Sequence, residues 1–238
     1  MNLRRLFIVY HLFQAERWEQ IYCEQMGVMM LSGLLDHAHL TIGINGEQNI
    51  DAPSNCKIIR HCDGFSEKPS LLLARQIAEE HPTASILYLH SKGISHATRN
   101  QDDWRMMMQH FLIVNWEKAV DLLDDYDVAS VNWRTFPVPH PSGNYWWTRA
   151  SHLLNLDPAY LDSTDRWRQE FWMGSAPCKV ANMHESELDH YNNEYPSARY
   201  SSSYFHHYRP GELSLSYSSR ADAIAQGKLS PVANVDFF

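Results

Sequence analysis

Ser85-Ile86-Leu87-Tyr88-Leu89-His90-Ser91-Lys92-Gly93-Ile94 is the stretch on which the fold turns. An apolar run rich in β-formers stops abruptly at a polar tetrad, His-Ser-Lys-Gly. A short apolar run bounded in this way reads as a buried strand, central and parallel. In open α/β sheets ligands bind beyond the carboxyl ends of such strands. His90, Ser91 and Lys92 are therefore expected to project into a crevice, with Gly93 beside them.

The segments on either side fit the same architecture. Leu6 to Tyr10 reads as a first strand, and Glu16 to Leu35 has helical spacing at Trp18, Ile21, Tyr22, Met26 and Met29. Leu40 to Ile44 and Cys56 to His61 read as strands, and Lys68 to Glu80 as a helix closed by His81-Pro82. This alternation implies an α/β fold: a Rossmann-like, mostly parallel sheet with helices on both faces. No Gly-x-Gly-x-x-Gly follows the first strand, and no Gly-x-x-x-x-Gly-Lys-Ser/Thr occurs anywhere, so the phosphate loops of the common nucleotide folds are absent. Downstream, Asp102 to Asp124 reads as one long helix and Val128 to Val131 as a fifth strand. Thr148 to Leu156 and Asp165 to Met173 read as further helices. Past Ala176 the chain is polar and poorly periodic, which suggests a wrapping tail.

The 238 residues suit one domain with a sizeable core. Within it, 1–135 would form a nucleotide-binding half, 136–180 an acceptor half and 181–238 a wrapping segment. A net charge of −8 gives no basic face for nucleic acid. Cys23, Cys56, Cys62 and Cys178 form no Cys-x-x-Cys pair, which argues against zinc-ribbon and thioredoxin chemistry and fits reduced thiols in a cytoplasmic protein. No run approaches the roughly 18 apolar residues of a membrane span.

Four motifs together carry a resemblance: Leu87-Tyr88-Leu89-His90-Ser91-Lys92-Gly93, Trp104-Arg105, Ser142-Gly143-Asn144-Tyr145-Trp146-Trp147, and Arg166-x-x-x-Glu170-Phe171-Trp172. In their order the chain resembles a GT-A-type glycosyltransferase. It is most similar to the bacterial and viral families related to rhamnan-synthesis glycosyltransferases. The resemblance spans roughly Leu6 to Gly174. It implies a hexosyltransferase-like enzyme that moves sugar from a nucleotide-sugar donor to a carbohydrate or other hydroxyl acceptor in glycan or surface polysaccharide assembly.

In that family a motif at the end of the fourth strand, commonly Asp-x-Asp, holds a divalent metal on the donor diphosphate. Here His90 and Lys92 stand in the two Asp positions. Mg²⁺ and Mn²⁺ want oxygen ligands, and an ammonium cannot ligate a metal. It can neutralise a departing diphosphate directly. No metal ligand is therefore expected at this motif; a bound Mg²⁺ or Mn²⁺ is the alternative. The literal Asp125-Tyr126-Asp127 precedes the fifth strand and reads as a solvated acidic turn.

The resemblance places Gly143 and Asn144 beside the sugar, with Trp146 or Trp147 stacking on a ring; the rival is a turn that feeds a buried aromatic strand, in which one tryptophan of the pair must face the core. It makes Glu170 the general base that takes the acceptor proton, with Asp165 in reserve. The rival for Glu170 is an i, i+4 pair with Arg166. Arg105 is a candidate for phosphate, and Tyr10, His11 and Asn45, at the ends of the first two strands, for the nucleotide base. The histidines at 184, 190, 206 and 207 lack metalloprotease spacing and read as structural or solvated.

Two other readings compete. A sugar-nucleotide nucleotidyltransferase needs a glycine-rich, Lys-ended loop that is missing after Tyr10. A non-catalytic carbohydrate-binding or scaffold protein on a degenerate transferase fold would account for the absent Asp-x-Asp.

Overall fold

The computed structural model describes residues 4–61, 66–94, 98–163 and 166–201. The strands are β1 (Leu6–Phe13), β2 (Ala38–Asn45), β3 (Lys57–His61), β4 (Ser85–His90), β5 (Val128–Ser130), β6 (Trp133–Arg134), β7 (His140–Pro141), β8 (Trp146–Arg149) and β9 (Val180–Asn182). The helices are α1 (Trp18–Leu31), α2 (Lys68–Glu80), α3 (Arg99–Gln109), α4 (Trp116–Leu122), α5 (Ala150–Asn155) and α6 (Arg166–Glu170).

Seven strands form one sheet in the order β3-β2-β1-β4-β8-β5-β9, and β6 and β7 form a separate ribbon. β1 is central and fully paired. It runs parallel to β2 and to β4, with His11 in register with His90. β8 lies antiparallel between β4 and β5. The sheet is thus the mostly parallel one that the strand runs imply, with a single reversed member among the described strands.

Both faces are covered, which is why the strands read as nearly continuous apolar runs. On one face Ile8, Tyr10, Leu12, Leu87 and Leu89 pack under α1, α3 and α4 with Trp18, Met26, Met108 and Leu112. On the other, Val9, Ile86, Tyr88 and Trp146 pack under α2 and α5 with Leu71, Ala74 and Leu153.

The helix expected over 102–124 is interrupted. After α3, His110–Val114 forms a π-helical turn. Asn115 closes it by donating both its backbone N–H and its Nδ2 to the His110 carbonyl. Such turns insert one extra residue and reset a helix face, so α4 starts in a new phase. β6 and β7, two residues each, and β9, in the polar tail, were not read as strands, and β8 is the buried aromatic strand that stood as the rival reading of the tryptophan pair.

Candidate active site

Glu67, in the N-cap position of α2, organises the carboxyl end of β4. Pro69 opens the helix, so its start is fixed just below the strand ends. The Glu67 Oε2 accepts from the Tyr88 hydroxyl at 2.7 Å and from Asn144 Nδ2 at 2.8 Å. Its Oε1 lies 3.8 Å from His90 Nδ1, with both side chains only 14% exposed. The other nitrogen, His90 Nε2, sits 3.0 Å from the Gly143 carbonyl. A carbonyl only accepts, so Nε2 carries the hydrogen and donates. Burial and then the Glu67 charge push the Tyr88 phenol well above the usual tyrosine range. Tyr88 stays a neutral donor.

Glu170 ends α6 on this same side. It is 8% exposed, and its charge reaches Tyr88. Its neighbour Gln169 accepts from the Glu67 backbone N–H at 3.0 Å, which ties α6 to the start of α2. Asp165, the reserve base, lies outside the described residues, and so does the Arg166 side chain.

Lys92 turns to the opposite face of the sheet. It is 8% exposed, with Nζ 3.8 Å from the centre of the Trp104 ring and 5.5 Å from that of Tyr191. Cation–π contacts of this kind attract an ammonium and hold it in place. The Lys92–Gly93 backbone is pinned by two arginines. Arg105 Nη1 donates to the Lys92 carbonyl at 3.1 Å and Arg17 Nε to that of Gly93 at 3.3 Å. Gly93 has φ +82, a conformation that favours glycine.

The two halves meet at Gly143, which has φ +90. Its carbonyl takes His90 on one side. On the other, a Cβ would stand 2.6 Å from Met108 Sδ and 3.1 Å from Trp104 Cε2. Only glycine lets the turn lie this close to α3.

Several expected ligand-binding residues serve the fold instead. Arg105 is not a phosphate group in waiting. It is 1% exposed, grips Glu24 with Nε and Nη2 at 2.8 and 2.7 Å, and reaches Asp102 at 2.7 Å. Burial alone would lower its pKa, but Glu24 and Asp102 outweigh it and raise it. Asp102, which burial would raise, is held low by Arg17 and Arg105. Trp146 and Trp147 do not stack on a ligand. Successive strand residues point to opposite faces, and here both faces are core, so both indoles are fully buried. Trp146 stacks on Tyr88 at 5.1 Å, and Trp147 donates to the Leu112 carbonyl. Tyr10 is likewise core, its hydroxyl bonded to Gln25 at 2.7 Å. Asn144 has both ends of its amide engaged, by Glu67 and by Trp146 Nε1. It holds the turn rather than reaching outward.

Among the remaining candidates, Ser91 Oγ accepts from the Phe13 N–H at 3.0 Å and joins the ends of β1 and β4. His11 shares a 2.9 Å hydrogen bond with Ser70 Oγ, and burial drives its pKa down to about 3. Asn45 is buried at the end of β2, where its carbonyl accepts from Gln14 N–H. Asp127 of the acidic turn pairs with Arg149 and accepts from the Lys179 N–H.

A divalent metal does not suit the His90-x-Lys92 positions. They offer an imidazole committed to Gly143 and an ammonium over Trp104, where Mg²⁺ or Mn²⁺ would want oxygens. Among the described residues, no group of three or more His, Cys, Asp or Glu is gathered to hold a metal ion. No described helix is long and apolar enough to cross a membrane.

Glu67 and Glu24 are the participants that sequence reasoning missed, and Tyr88 and Trp104 stood in the quoted motifs without a role. A carboxylate just before a Lys-Pro helix start, after a parallel strand, was a usable signal for Glu67. For Glu24 there was none, and the contacts of Tyr88 and Trp104 were not readable because their partners lie far away in sequence.

A family model described as Domain of unknown function (DUF8361) matches residues 9–161. No curated protein matches the chain. Among solved structures, similarity is found to a protein described as a nucleotide-diphospho-sugar transferase from Desulfovibrio desulfuricans G20. The identity is 14% and the TM-score 0.46, over 76% of this chain and 80% of that one. HddC from Yersinia pseudotuberculosis is similar at 6% identity and a TM-score of 0.41, over 75% of this chain and 90% of that one.

Proposed function

The chain belongs to the family described as Domain of unknown function (DUF8361), and from that premise we propose that it is a glycosyltransferase. It moves a sugar from a nucleotide-sugar donor to a hydroxyl of a carbohydrate acceptor, in glycan or surface polysaccharide assembly and without a metal. One observation carries this reading. At the carboxyl end of β4, a glycine turn is latched by His90 and Glu67, with the Lys92 cation on one side and the Glu170 carboxylate on the other.

The division of labour follows from charge. As the acceptor oxygen attacks the anomeric carbon, its proton passes to Glu170. The bond from that carbon to the donor phosphate breaks, and the nucleoside diphosphate leaves as an anion. A fixed cation in a dry site stabilises that departing charge most where it develops. Lys92 does this here, and the rings of Trp104 and Tyr191 keep its ammonium in place. The low exposure of Glu170 and its closeness to Tyr88 support the base role.

Calorimetry with a panel of nucleoside diphosphates, followed by transfer assays with the corresponding nucleotide sugars, tests the reading. Binding of at least one diphosphate is expected, with turnover that survives EDTA. Glu170→Gln should lose about 10²- to 10⁴-fold in turnover while keeping nucleotide affinity. Absence of any nucleoside diphosphate binding would overturn the proposal. Sugar binding without turnover in the native protein would favour the scaffold alternative.

A further inference from the structure

Three buried tryptophans use their indole N–H inside the fold. Trp116 donates to the Ser32 carbonyl at 3.1 Å, Trp146 to Asn144 Oδ1 at 3.0 Å and Trp147 to the Leu112 carbonyl at 2.7 Å. Trp104 does not. It is 2% exposed, and its Nε1 is buried with no acceptor among the described residues. A buried N–H left unpaired is costly, and native structures keep few of them. Trp172 shares the property, but Trp104 is the one with an ammonium over its ring.

The position of that N–H is informative. Cε2, the ring carbon bonded to Nε1, lies 3.1 Å from where a Cβ on Gly143 would stand. The donor edge of the indole therefore lies beside the glycine turn, while Lys92 Nζ sits 3.8 Å from the ring centre. His190 stacks on the same indole, with centroids 5.3 Å apart and planes 18° from parallel. Ring rotation is blocked, and the N–H direction is fixed.

We propose that Trp104 Nε1–H and Lys92 Nζ form a two-donor anion subsite that takes a phosphate group of a nucleoside diphosphate. The two donors are complementary. The ammonium supplies charge with little directional demand, whereas the indole supplies one directional bond and no charge. Together they fix where one phosphate sits and how it is turned. The inference rests on the transferase reading and adds to it a phosphate-binding residue that lies on neither the strand-end motif nor the glycine turn.

Trp104→Phe keeps an aromatic ring under Lys92 and removes the N–H. Calorimetry on both proteins should use nucleoside diphosphates, inorganic pyrophosphate and the parent nucleosides. The expected result is diphosphate and pyrophosphate affinity about 10- to 150-fold weaker in the variant, as for loss of one hydrogen bond to an anion, with nucleoside affinity unchanged. If the smaller ring impairs folding, the native protein labelled with ¹⁵N at its indoles gives a second readout. The Trp104 N–H resonance should move on adding pyrophosphate and stay still on adding nucleoside. Diphosphate binding with equal affinity in the folded variant, or with a stationary Trp104 resonance, overturns this inference and leaves the transferase reading standing. Failure of the native protein to bind any diphosphate overturns both.

Discussion

The Glu67 carboxylate accepts from Asn144 Nδ2 at 2.8 Å across a sequence separation of 77 residues, and so joins the start of α2 to the glycine turn. The same oxygen takes the Tyr88 hydroxyl. Removing the carboxylate strands two buried donors. Hydrogen bonds to charged groups contribute about 1.5–3 kcal/mol each, and orphaned partners add a desolvation cost. Glu67→Ala should therefore lower unfolding stability by about 2–4 kcal/mol in urea. Tyr88→Phe should cost less, because it removes the donor along with its need. A double-mutant cycle between Glu67→Ala and Tyr88→Phe should show coupling of about 1 kcal/mol or more. Additive effects would mean that the hub is not a unit.

Gly143 is constrained twice, by φ +90 and by Met108 Sδ standing 2.6 Å from a would-be Cβ. Gly143→Ala must adopt a left-handed backbone with a side chain and also displace a thioether. Each effect costs about 1–2 kcal/mol. Met108→Ala in the same chain removes the clash but not the dihedral strain. The double variant should show part, and only part, of the Gly143→Ala penalty as relieved. Full relief would show that packing alone selects glycine there.

Much of the sheet was legible because its strands are buried on both faces. Leu6–Phe13, Ala38–Asn45 and Ser85–His90 are runs that no surface element could carry. The helix α2 was legible to the residue, since Pro69 and His81-Pro82 punctuate it. β8 was legible only as a rival reading, because four residues carry no measurable period and its paired tryptophans also suit a ligand platform until both sheet faces are known to be covered. The break after Gln109 left no mark, because a π turn uses the same residue types as the helix around it. At the site, the motif residues His90, Lys92, Gly143 and Asn144 were visible as types. What each one touches was not. Those contacts are set by Glu67, Trp104 and Arg105, whose choice of partner is a property of the assembled fold.

Arg105 belongs to stability rather than to phosphate recognition. It is 1% exposed, with a two-pronged grip on Glu24, and breaking such a pair from one side typically costs about 3–5 kcal/mol. Arg105→Ala should lose that much whether nucleotide is present or absent. Arg105→Lys should recover little, since an ammonium cannot reproduce the fork. A variant with native stability but weakened diphosphate affinity would instead return Arg105 to the binding machinery.

Acid should destabilise the protein through its buried histidines, His11 above all. Burial is the main cause of its lowered pKa, about 3 against an ordinary 6.5. Glu67 opposes the shift, and His90 and His61 reinforce it. Above pH 6.5 the ring is neutral both folded and unfolded, so it adds no slope. Below 6.5 the unfolded chain takes up a proton that the folded one refuses until about pH 3. Stability present above the unfolded pKa is thus lost as pH falls through that window, at up to about 1.4 kcal/mol per pH unit for one proton. His190, lowered to about 4 mainly by burial, and His152, also lowered by burial, act in the same direction. His11→Asn keeps a polar atom for Ser70 and cannot titrate. Its urea-unfolding stability, measured from pH 7 to 4.5, should fall less steeply than that of the native protein, by up to one proton, with the slope from His152, His184 and His190 left in place. Parallel curves would mean that His11 already takes its proton in the folded state.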